Sequence, residues 1–137
     1  MLKRFGVAVE EGLLKGFDEL VASRGYANRS EAIRDLIRDA LVRRDWQSGD
    51  AEAAAAVVLV YDHHRRELQA RLTELQHQAH DRIISTMHAH LDHDNCIEVV
   101  LLRGKPAELA QIGDRLIATR GVKHGRVVST SMGKHLS

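Results

Sequence analysis

Near its start the chain alternates apolar with polar or small residues. In Arg4-Phe5-Gly6-Val7-Ala8-Val9, Phe5, Val7 and Val9 share one face and Arg4, Gly6 and Ala8 the other, which predicts a half-buried strand. The period then changes. Leu13, Leu14, Phe17, Leu20 and Val21 recur at helical spacing until Arg24-Gly25, and a second helix carries Ala32, Ile33, Leu36, Ile37, Ala40 and Leu41. Its N-cap is either Asn28, with Glu31 three residues on, or Ser30. Small and polar residues from Ser48 to Ala54 predict a linker. Beyond it, the apolar run Ala56–Tyr61 predicts a buried strand, and Asp62–Ala79, with Leu68, Leu72 and Leu75, a helix. Strands follow at Arg82–Leu91 and Cys96–Leu102. Pro106 suits the start of a helix carrying Leu109, Ile112, Leu116 and Ile117, and Val122–Ser129 is the last strand, before a frayed end from Met132 to Ser137.

This order predicts an α+β chain: a β-α-α unit over residues 1–47, a linker over 48–54, and a β-α-β-β-α-β ferredoxin-like domain over 55–132. About 45 residues cannot bury a sufficient core alone, and the first unit's single strand has no partner. An intertwined homodimer, with two strands paired in a ribbon over four helices, resolves both problems. The ferredoxin-like half has helices on one face only. Covering the other face predicts a second association, and hence a tetramer.

The 137 residues include 20 basic and 19 acidic ones, so no global positive field marks the chain for nucleic acid, and any such contact must be local. One cysteine excludes a disulfide framework. Neither a signal peptide nor an 18-residue apolar run is present, which predicts a cytoplasmic protein with no membrane partner. Histidine is the unusual component: seven of nine fall between His63 and His93.

Within that cluster, His88 and His90 project from the same side of a strand. The Asx-rich turn Asp92–Asn95 brings Cys96 back beside them. Two imidazoles and a potential thiolate form a transition-metal donor set that admits nickel, copper or zinc. A fourth donor can come from His77 or His80, at the end of the preceding helix. Glu98, two residues past Cys96 on the same face, is placed to accept the remaining N–H of a ligand histidine. His93 belongs to the turn, and His63 and His64, at a strand end, are either a secondary metal site or, as preferred here, a solvated pair.

The segment Arg4–Leu41, including Gly-Tyr-Ala-Asn-Arg-Ser-Glu-Ala-Ile-Arg-Asp at residues 25–35, resembles a ribbon-helix-helix DNA-binding domain. A two-stranded ribbon fits the major groove of double-stranded operator DNA, where Lys3, Arg4, Gly6 and Ala8 would face the duplex. Arg29 and Ser30, at the start of the second helix, would hold phosphate. Gly6 and Ala8 depart from the polar side chains common in that family, leaving Arg4 to read a guanine and Ala8 to touch a thymine methyl.

Joined to the His-x-His and Cys pattern, the whole chain resembles the nickel-responsive NikR family of transcriptional regulators, with its ACT-type metal-binding domain. That resemblance implies a homotetrameric repressor of nickel uptake genes, built as a dimer of dimers and binding one Ni2+ per subunit. It implies square-planar coordination by His88, His90 and Cys96 with His77 of a neighbouring subunit. Arg65 and Arg66 would then touch phosphate. Glu31 and Asp35 match an acidic pair that takes a weaker cation in that family, although an ordinary solvated helix face explains them equally. A regulator sensing another transition metal, or an amino acid, is the alternative. A metalloenzyme fits poorly, because four protein ligands leave no open position for substrate.

Overall fold

Helix α1 (Glu11–Ser23) ends where Gly25 adopts φ +73°, a conformation open to glycine at no steric cost. The amides of Arg24 and Tyr26 bond back to the carbonyls of Leu20 and Val21. Asn28, rather than Ser30, caps α2 (Arg29–Ser48), its Oδ1 accepting the Glu31 N–H at 2.9 Å. Asp18 on α1 accepts from Arg29 Nε and Nη2, both at 2.8 Å, tying one helix to the start of the next.

The computed structural model describes residues 1–137 and divides into two compact units, Met1–Ala40 and Leu41–Ser137. In the first unit only Ala32 is buried. The strand expected at Arg4–Val9 is not one in the single chain: residues 1–10 carry no regular structure and are exposed. The reason is physical, because a lone strand has no neighbour to complete its ladder.

In the second unit, β1 (Ala53–Asp62), α3 (Arg66–Gln78), β2 (Ile83–His90), β3 (Asn95–Gly104), α4 (Pro106–Ile117) and β4 (Val122–Ser131) form the β-α-β-β-α-β unit, with a 3-10 turn at His80–Arg82. The sheet is antiparallel in the order β2-β3-β1-β4, so β3 lies between the two strands that α3 connects. Leu68 and Leu72 of α3 and Leu109 and Leu116 of α4 bury against Val57, Leu59, Tyr61, Val100 and Leu102. Helix α4 sits close: a Cβ at Gly113 would come within 2.6 Å of Val127 Cγ2, so glycine permits the approach.

Two expectations change here. Residues 48–54 are not all linker, since α2 continues through Ser48 and β1 starts at Ala53, leaving only Gly49–Glu52 between them. Small alanines pass for linker in sequence, yet Ala53 is buried and belongs to the core cluster. Nor is β1 buried on both faces: its burial alternates, because helices cover one side only. The uncovered face carries Val58, Val60 and Val99, with Met87, Leu101 and Val128 outright exposed.

Candidate metal centre

The register of the sheet brings the candidate ligands together. His90 of β2 lies opposite Cys96 of β3, and His88 opposite Glu98, all on the helix-covered face. Cys96 also faces Tyr61 across the β3–β1 pair. The His88 and His90 rings are 6.0 Å apart, and Tyr61 meets His88 edge-on at 6.1 Å. Cys96 is fully buried while the histidines on the edge strand are exposed, so a buried sulfur lies beside two accessible imidazoles. Burial raises the Cys96 thiol, partly offset by hydrogen bonding with Tyr61.

Beneath the imidazoles, the buried Glu98 carboxylate accepts from the Tyr61 hydroxyl at 2.7 Å and from the Gln76 amide at 2.7 Å. Gln76 in turn accepts from Thr86 Oγ1 at 2.9 Å. Burial first, and then the bond to Glu98, push the Tyr61 phenol far above its usual value and keep it a donor. His88 Nδ1 lies 3.6 Å from Glu98 Oε1, just beyond hydrogen-bonding distance. Neither Tyr61 nor Gln76 stood out in the sequence, because the Tyr61–Cys96 register is defined only by the folded sheet.

His77 is in the last turn of α3 and exposed; its neighbour Gln76 is the residue turned to the sheet. One residue along a helix is about 100° of rotation, so His77 faces elsewhere. His80 Nδ1 contacts the His77 carbonyl at 3.1 Å. The donor set within one chain is therefore two imidazoles and a thiol, chemically suited to nickel, copper or zinc and short of one ligand.

The tightest grouping of metal-capable donors belongs to other residues. His64, His93 and Asp94 each bring a ligand atom within 4.8 Å of the others. The His63 ring stacks on His90, with centroids 4.2 Å apart and planes within 5°. His64 is exposed and His63 half-buried, and the pair is organised around the turn, with His63 Nε2 and His64 Nε2 at 2.7 and 3.0 Å from the His93 carbonyl.

Among the DNA-facing candidates, Lys3, Arg4, Gly6 and Ala8 are exposed ahead of α1, and Ser30 is exposed in the first turn of α2. The Arg29 guanidinium is held by Asp18. Arg65 precedes α3 and Arg66 opens it, both exposed. Glu31 pairs with Arg34, while Asp35 accepts from Tyr26 at 2.8 Å and Arg38 at 2.7 Å, so a cation there would compete with two guanidiniums. No helix is long and apolar enough to cross a membrane.

Comparison with known proteins covers almost the whole chain. Residues 54–130 match the NikR C terminal nickel binding domain, and residues 3–44 match the ribbon-helix-helix protein, copG family. A provisionally named nickel-responsive regulator of Geobacter sulfurreducens is 55% identical over 97% of this chain and 96% of its own. Relatives given the same provisional name in Solibacter usitatus and Thermococcus kodakarensis are 52% and 48% identical, each covering at least 96% of both chains.

Proposed function

The chain belongs to the NikR family of nickel-responsive regulators, and from that we propose that it is a DNA-binding repressor whose grip on its operator depends on nickel. His88, His90 and Cys96 would hold the ion, with His77 of the partner subunit as fourth donor. One observation carries this reading: the sheet register sets a buried thiol opposite an imidazole, and the donor helix turns Gln76 inward and His77 outward. Bound there, nickel supplies a strong link between side chains of two subunits.

The chain's own residues prepare that link. Glu98, held by Tyr61 and Gln76, presents a carboxyl oxygen beneath His88. Because Gln76 bonds both Glu98 and Thr86, the end of α3 is referenced to the ligand strand. A site completed only in one arrangement of subunits favours that arrangement, and so couples occupancy to the spacing of the DNA-binding units. The exposed apolar sheet face supports association through the second unit, and exposed Phe5, Val7 and Val9 support a ribbon dimer through the first. Arg4 would then read base edges, with Lys3, Ser30, Arg65 and Arg66 on phosphate.

The test is selection of duplexes from a randomised pool, followed by titration with Ni2+ and with chelator. Tighter binding with nickel, lost in Cys96→Ala together with the thiolate charge-transfer band, is the expected result. Equal affinity under both conditions would refute the coupling.

A further inference from the structure

We propose that Trp46 is a positioning residue for nickel-dependent DNA binding: it fastens the end of α2 to β4, so that movement of the ligand-bearing sheet is passed into α2. The part played in DNA binding rests on the function proposed above. The attachment itself rests on the contacts alone.

Helix α2 begins in one unit and ends in the other, since the units divide between Ala40 and Leu41 while the helix runs from Arg29 to Ser48. Its last two turns therefore fold with the sheet. Trp46 is the side chain that holds them there. Its indole packs against the buried core of the second unit, and Nε1 donates to the Thr130 carbonyl at 2.8 Å. Tryptophan has only two side-chain torsions to freeze, so it holds a helix end at small entropic cost.

The segment after the helix is anchored at both ends. The Gly49 amide closes on the Asp45 carbonyl at 2.9 Å, and Gly49, at φ +72°, ends the helix. Beyond it Ala53 pairs with Ser131, the chain neighbour of Thr130, and Glu52 accepts from Arg103 Nε at 2.7 Å. Trp46 and Ala53 are thus held by adjacent residues of β4, and residues 49–52 form a short closed loop rather than a tether.

Bending between the units must then fall upstream of the loop, where it would break helical hydrogen bonds. Movement of β4 is instead carried along α2 toward Ser30, at the end assigned to phosphate. The indole N–H is the part of Trp46 that phenylalanine cannot supply.

Binding of the selected duplex with Ni2+ and with chelator tests the proposal. Trp46→Phe should lose at least tenfold of the nickel-induced gain in affinity, with Ni2+ stoichiometry, the thiolate charge-transfer band and circular dichroism unchanged. Two glycines inserted between Gly49 and Asp50 should leave the gain intact, because the loop transmits nothing. Trp46 is the only tryptophan, so fluorescence anisotropy of the native chain should report an indole fixed to the protein. Full gain in Trp46→Phe, loss of the gain on lengthening the loop, or a freely rotating indole would overturn it. A native chain whose affinity ignores nickel would refute the function proposed above and the role in DNA binding with it, while the anisotropy would still decide the attachment.

Discussion

The two units of this chain meet the same physical demand in opposite ways. Residues 41–137 bury a layer of leucines, valines and Tyr61 between sheet and helices, whereas residues 1–40 bury Ala32 alone. Yet the first unit is not polar. Phe5, Val7, Leu13, Leu36 and Ile37 are between 46% and 70% exposed. Apolar surface in that amount, in a unit that buries a single alanine, is what the proposed ribbon dimer would cover. The lesson is that regular local structure and a closed core are separable: α1 and α2 have the first without the second.

The harshest way to break this contrast is Val7→Asp. A charge on the face assigned to the ribbon dimer should abolish specific DNA binding, a loss of at least about 3 kcal/mol if the carboxylate must be buried unpaired. The main thermal transition of the second unit should stay in place; if it moved equally, the units would not be independent. Leu72→Ala attacks the other side, opening a hole against the sheet at a cost of about 2–5 kcal/mol, visible in denaturant melts. Arg4→Ala leaves both cores alone and should erase about 1–3 kcal/mol of base discrimination in competition binding, and unchanged selectivity would remove Arg4 from base reading.

The smallest effect belongs to Asp18. The Arg29 guanidinium holds its carboxyl below the usual range, so its folded pKa lies under its unfolded one. Its contribution is present above an unfolded value of about 3.9 and is lost as pH falls through the folded value. Asp18→Asn should flatten the acid limb of a stability profile slightly in that window, and an unaltered limb would show that the helix-to-helix bond contributes nothing.

Much of this was readable from residue order, and what was not has physical causes. Gly25, Asn28 and Pro106 act within a turn of the chain, so the helix boundaries they set were legible. The start of β1 at Ala53 depends on pairing with Gly104 and Ser131 far along the chain, which no local pattern encodes. The His88, His90 and Cys96 grouping was legible because strand alternation and one short turn determine it. The Tyr61–Glu98–Gln76 chain was not, since it joins three elements whose register only the folded sheet defines. The meeting of His64, His93 and Asp94 was not legible for the same reason: it follows from a backbone bond between two loops.

The order β2-β3-β1-β4 leaves His88 and His90 on an outer strand, with every position from Ile84 to His90 exposed. Substitutions at the proposed ligands on that margin would therefore leave the interior, held by the central strands, in place. A lineage needing to sense a different ion could revise its selectivity one side chain at a time, with each intermediate still able to fold.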